Sequence, residues 1–355
     1  MTNKPGRQMM TKSQQQNCDA RAKWRGVDLK VRSQAMKDLY IAHADLRDAE
    51  TVINNKIFEI EGRHSLNDEN FVYLETVQYG SGILLLGESG AGKSTFAGRL
   101  LEQHPCQRTE TTTYLPAVYM DVPAGPTERS MGVELLTAMG HPDLSGNAQE
   151  LRKRCILLMR KCRVRMLIID NFQDIPASRK LGIKTLGNWL RSIINGAPCL
   201  VIAMGTEGAK IVRDSNEELE RRMKATVRLL PFSVEGITSR SSPIVAETFS
   251  RWYALMAQID AALPMAESSN LSDPEVAVRL LMGSNARFGY LSEILQHGIK
   301  LAVKAGSEWI DLKHLSEGFV HALGDAAANG NPFLEDYDGE PLTKPGQAFD
   351  RNKAA

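Results

Sequence analysis

The chain has 355 residues, 43% of them hydrophobic and 24% charged, enough for one large domain with a buried core plus a smaller one. Its formal net charge of +1 excludes a global electrostatic pull toward nucleic acid or membrane, so any basic surface has to be local. The apolar runs, such as ILLL at 83–86 and CLVIAM at 199–204, are too short to span a bilayer, and the polar start MTNKPGRQMMTKSQQQN has no apolar signal core. Five widely spaced cysteines (Cys18, Cys106, Cys155, Cys162, Cys199) form no CxxC pair with a nearby His, which predicts free thiols in a reducing cytoplasm and neither a disulfide framework nor a zinc site.

In chain order, residues 1–25 are rich in Gln, Lys and Asn and are expected to be a disordered tail. From Val31 to Ile57 apolar residues return at helical spacing, predicting an N-terminal helical extension over 26–65. Residues 66–235 then alternate short apolar runs with helical stretches. The runs are GILLLG (82–87), AVYMDV (117–122), RMLIID (165–170), CLVIAMG (199–205) and TVRLLPF (226–232). That alternation predicts an α/β core, a parallel five-stranded sheet flanked by helices. Residues 236–328 read as a small helical lid and 329–355 as a flexible tail, whose NPFLEDYDGEPL is a candidate docking peptide.

The sharpest motif is GESGAGKST at 87–95, which fits G-x-x-x-x-G-K-[ST] between a strand and the helical TFAGRLLEQH. Its residues, Gly87, Glu88, Ser89, Gly90, Ala91, Gly92, Lys93, Ser94 and Thr95, are the candidate nucleotide-binding set. Glycines let successive backbone N–H groups converge on a phosphate, and the following helix N-terminus adds partial positive charge. Lys93 reaches the β and γ phosphates of ATP, and the Ser94 hydroxyl ligates Mg²⁺. The strand ending at Asp170 supplies the second metal-site residue. That carboxylate has an alternative use as the cap of the next helix. Such strands usually end Asp-Glu, the Glu polarising the attacking water. Here Asn171 follows and cannot accept a proton, which predicts slow or absent hydrolysis unless Asp174 bends back into the site. Thr206, at the end of a third strand, is placed to sense the γ-phosphate or simply starts a loop. Arg221 and Arg222 either reach a neighbouring subunit's nucleotide or pair with the adjacent glutamates.

The order of these features resembles the AAA+ ATPases, and the stretches between them narrow the likeness. PAVYMDVPAGPTERS, LGNWLRSIINGAPCLVIAMGTEGA and ELERRM together resemble the TniB/TnsC-type ATPases of transposons, across roughly residues 80–335. The resemblance implies an AAA+ P-loop core with a helical lid; Arg287, in GSNARFGYL, either reaches the nucleotide from that lid as its sensor or is an exposed arginine at a helix entry. It also implies a homo-oligomer, ring or helical filament, that forms on duplex DNA when ATP is bound. That assembly would link a TniQ-type target-selection protein to the transposase. It carries backbone-tracking DNA contacts onto Arg129 and Asn147. The densest basic run, LRKRCILLMRKCRVR at 151–165, has seven Arg or Lys residues, including Lys153, and is either a phosphate-contacting stripe or a solvated helix face. Two other classes share the nucleotide motifs: an active remodeller of the helicase-loader kind and a STAND-type signalling scaffold.

Overall fold

Each of the five apolar runs becomes a strand, with ends shifted by no more than a few residues. The computed structural model describes residues 21–41, 43–64, 80–110, 112–175, 180–229, 232 and 243–350. The strands are β1 (Ser81–Gly87), β4 (Ala117–Asp121), β5 (Met166–Asp170), β6 (Leu200–Gly205) and β7 (Ala225–Leu229). A two-residue hairpin, β2 (Gln107–Arg108) with β3 (Thr113–Tyr114), stands apart from that sheet. All five strands pair in parallel, in the order β4-β5-β6-β1-β7. Every residue of β5 and β6 is buried, the pattern of strands covered on both faces. Ligands of such sheets bind at the carboxyl ends of the strands, and β6 lies between β1 and β5, so the ends of all three converge there.

Helices α3 (Lys93–Gln103), α4 (Glu128–Ala138), α5 (Ala148–Lys161) and α6 (Lys180–Gly196), with the short α7 (Lys210–Asp214) and α8 (Glu217–Arg222), complete this α/β unit. Its core includes Leu84, Leu135, Leu151, Leu167 and Trp189, all fully buried.

A second, helical unit is built from both ends of the chain, the residues before 42 and those after 230. It contains α1 (Leu29–Lys37), α9 (Pro243–Ala262), α10 (Pro274–Ser284), α11 (Phe288–Lys304) and α12 (Leu312–Leu323) around a core that includes Trp252, Met256, Leu281, Ile294 and Phe319. The predicted extension over 26–65 is therefore divided. α1 belongs to the helical unit, whereas α2 (Ala44–His64) belongs to the α/β unit and packs on β1, β6 and β7.

The division has a chemical cause. Arg32 of α1 is buried, and its guanidinium donates to Trp24 O at 2.5 Å, Val27 O at 3.0 Å and Glu308 Oε2 at 2.9 Å. Arg21 likewise pairs with buried Asp260 at 2.9 Å, so order begins before residue 25. Both charges are compensated at every turn, as burial demands. Residues 1–20 lie outside the described part.

The segment after 329 is not a free tail either. Phe333 and Leu342 are buried, and Phe333 meets Phe319 edge-on at 6.0 Å. Arg279 donates to Pro332 O at 2.7 Å and Leu334 O at 2.6 Å, so the NPF stretch is tied down and not displayed. Hydrogen bonds from a charged donor are worth about 1.5–3 kcal/mol each. Arg279→Ala should therefore make residues 331–350 protease-sensitive and fast in amide exchange, while the core helices stay protected. Unchanged cleavage would show that the aromatic packing alone holds the segment.

Cys106, Cys155, Cys162 and Cys199 are free, and burial pushes the Cys155 and Cys199 thiols up to about 12. Among the described residues no helix is long and apolar enough to cross a membrane.

Candidate nucleotide site

β1 delivers the chain to Gly87, and α3 begins six residues later at Lys93. In between, Gly90 (φ 80°) and Gly92 (φ 86°) adopt left-handed backbone that a side chain would disfavour. Ala91 is buried between them, while Glu88, Ser89, Ser94 and Thr95 are exposed. A Cβ on Gly87 would sit 3.1 Å from Ala91 Cβ and 3.2 Å from Leu229 Cβ, so the strand end is packed tightly under the loop. The Lys93 ammonium donates to Gly87 O at 2.7 Å and Glu88 O at 3.0 Å, which holds it over the turn. Burial lowers its pKa, an effect opposed by the charges of Asp170 and Glu88. The Ser94 hydroxyl donates to Asp170 Oδ2 at 2.7 Å. Ser94 and Asp170, 76 positions apart, are thereby joined beside Lys93.

The wall beside them contains residues that the sequence reading passed over. Asp121 ends β4 in register with Asp170 on β5. Tyr119 lies two residues before it, on the same face of the strand. The Tyr119 hydroxyl is within hydrogen-bonding distance of both Asp121 Oδ1 (3.1 Å) and Asp170 Oδ2 (3.2 Å). Burial and those two carboxylates raise the Tyr119 pKa, keeping the phenol protonated.

Asn171 takes a left-handed conformation, φ 55°, that Asn tolerates better than most residues. Its N–H donates to Asp170 Oδ1 at 2.8 Å and its Nδ2 to Asp121 Oδ1 at 3.0 Å. Gln173 then links β5 to β6: its Nε2 donates to Asn171 Oδ1 at 3.3 Å, and its Oε1 accepts from Thr206 N at 3.2 Å. A Cβ on Gly205 would come within 2.7 Å of Gln173 Oε1, so a side chain there would displace the Gln173 amide. The chain Thr206, Gln173, Asn171, Asp121 runs unbroken across three strand ends. Asp174, the alternative carboxylate of the sequence, accepts from Gln173 Nε2 at 3.3 Å and is exposed.

These donors fit the groups the motif implies. Ser94 and Asp170 offer a hydroxyl and a carboxylate oxygen, hard ligands suited to Mg²⁺. Among the described residues there is no cluster of three or more His, Cys, Asp or Glu poised for a metal.

Residues 69–232 match the family model described as "Bacterial TniB protein", and that stretch contains the loop, the acidic wall and the whole sheet. That stretch is thereby identified as a TniB-type region. The fold agrees: CDC6P from Pyrobaculum aerophilum aligns at a TM-score of 0.52 with 14% identity, over 82% of this chain and 70% of that one. The ORC2 protein of Aeropyrum pernix, in its ADPNP-ADP complexes, aligns at 0.48 with 12% identity, over 75% and 67%. No curated protein matches the sequence.

In this TniB-type core the two candidate finger arginines part company. Arg222 pairs with Glu218 at 3.6 Å, and Glu218 also accepts from Arg191 at 2.8 Å. Arg221, at the end of α8, is exposed. Arg287 precedes α11 in the helical unit.

The TniB match also spans the DNA candidates. Arg129 Nε donates to Gly146 O at 3.2 Å, which puts Arg129 beside Asn147. Asn147 itself caps α5, accepting from Gln149 N and Glu150 N at 3.0 Å each, so its carbonyl oxygen has a structural task. Most of the basic run is similarly engaged. Arg152 pairs with Glu128 at 3.6 Å and Arg154 with Asp143 at 3.1 Å. Arg165 pairs with Glu61, Arg160 donates to Gly196 O at 2.5 Å, and Arg163 lies over Tyr114. Lys153 and Lys161 are exposed and make no ion pair among the described residues. Residues 65–79, ahead of β1, lie outside the described part.

Proposed function

We propose that this protein, with its TniB-type region, is an ATP-gated clamp on duplex DNA that regulates transposition. ATP-bound copies would assemble into a ring or helical filament along the duplex and join a TniQ-type target-selection protein to the transposase. The observation that carries this reading is the junction of Lys93, Ser94 and Asp170 inside the stretch matched by the TniB family.

Lys93 and the glycine-rich turn would hold the triphosphate, and Ser94 with Asp170 the Mg²⁺, which would offset phosphate charge there. A nucleotide that also touches the next subunit stabilises the assembly by mass action whether or not it is cleaved. Slow turnover, expected from Asn171, is therefore compatible with the role. Exposed Arg221 is the arginine available to a neighbour's nucleotide, since Arg222 is paired in its own chain. Arg129, Asn147 and Lys153 support backbone contacts that carry no base sequence.

The test mixes the chain with duplexes of unrelated sequence and ATP, ADP or a non-hydrolysable ATP analogue. Assemblies should appear by electron microscopy with ATP and the analogue but not with ADP. Affinity should fall steeply and linearly on a log–log plot against salt. Monomers in every condition would overturn the proposal.

A further inference from the structure

The strand that ends Asp170-Asn171 has no carboxylate where the attacking water is ordinarily activated, yet the neighbouring strand ends in one. Resting on the nucleotide-site reading above, we infer that Asp121 is the water-activating carboxylate of this site and Asn171 its positioning residue.

Three observations converge on Asp121. It shares the strand-end level of Asp170, its register partner. It is joined to the phosphate-binding loop by continuous contacts: the Tyr119 hydroxyl bridges it to Asp170 Oδ2, the same oxygen that accepts from Ser94. The Asn171 side chain is also oriented toward it. With Gln173 Nε2 donating to Asn171 Oδ1, the amide is fixed with its NH₂ facing Asp121 Oδ1. A glutamate at 171 would meet Asp121 as a second carboxylate at a distance where like charges repel. An amide at 171 and a carboxylate at 121 are thus complementary choices. The pair carries one proton acceptor and one donor, with the acceptor moved one strand over.

The step balances with water and ATP alone. The Asp121 carboxylate takes a proton from water as the water oxygen bonds to the γ-phosphorus. The bond from that phosphorus to the β–γ bridging oxygen breaks, its electron pair leaving on ADP. Asp121 is exposed, so it returns the proton to solvent. Asn171, held through Gln173 to the Thr206 backbone, keeps the Asp121 carboxylate turned into the site.

An exchange of the two residues is the test. The parent, Asp121→Asn, Asn171→Glu and the double variant are each measured for affinity toward a fluorescent ATP analogue, phosphate release and lifetime on DNA after free nucleotide is removed. Asp121→Asn should bind the analogue as the parent does, release phosphate about 10²-fold more slowly, and stay on DNA longer. Asn171→Glu alone should also be impaired. The double variant, with the carboxylate and amide exchanged, should recover most of the release rate and the parent's DNA lifetime. Phosphate release unaffected by Asp121→Asn would overturn the inference, as would a parent that releases none above a Lys93→Ala background. Either result leaves nucleotide-dependent assembly standing, whereas failure of every variant to assemble on DNA with ATP would remove the broader reading.

Discussion

Lys93→Ala should lower ATP affinity about 10²-fold and abolish nucleotide-dependent assembly on DNA. A charged donor to a phosphate contributes about 1.5–3 kcal/mol, and 1.4 kcal/mol is a factor of ten in affinity. The fold should hardly notice. The ammonium is only partly buried and its present acceptors, the carbonyls of Gly87 and Glu88, lie close to water. Titration with a fluorescent ATP analogue measures the first effect, and a melting temperature within a few degrees of the parent's excludes unfolding as its cause. Retention of both ATP affinity and assembly by the variant would mean that the glycine-rich turn is not the phosphate site.

The largest stability effect should come from the helical unit. Trp252 is fully buried, meets Phe232 edge-on at 5.1 Å, and donates from Nε1 to Ala277 O at 2.7 Å. Truncation to alanine removes the ring, leaves a cavity and takes the donor from a buried carbonyl, which together cost about 3–5 kcal/mol. Against a typical stability of roughly 5–15 kcal/mol, that is enough to unfold the unit well before the parent in urea. Trp252→Phe fills most of the cavity and should lose markedly less. Equal losses for the two substitutions would show that the hydrogen bond, and not the packing, is what matters.

The central strands β1, β5 and β6 were legible because each is a short apolar run of nearly continuous burial, a local signal. The loop at 87–95 was legible for the same reason: its chemistry is consecutive in sequence. Asp121, Tyr119 and Gln173 were not, because their roles arise from β4–β5 register and from a bend after Asn171, neither of which is written in one segment. One signal was available: AVYMDV carries an Asp near its end just as RMLIID does. The segment from 329 to 350 read as free because it has no periodicity. It is held by single anchors, Phe333 and the carbonyls taken by Arg279, that leave no repeating pattern. In the N-terminal region α1 and α2 show the same helical spacing, and spacing does not reveal which core each one joins.

The double origin of the helical unit has a consequence for synthesis. Arg21 finds its carboxylate 239 positions later and Arg32 finds Glu308 276 positions later. These residues leave the ribosome first and are completed last. The α/β unit, contiguous between them, can close while the N-terminal strip still waits with two unmatched guanidinium groups. Removing the first forty residues as a dispensable leader would therefore strip counter-ions from a module made two hundred residues downstream, and the damage would surface only when the last third emerged.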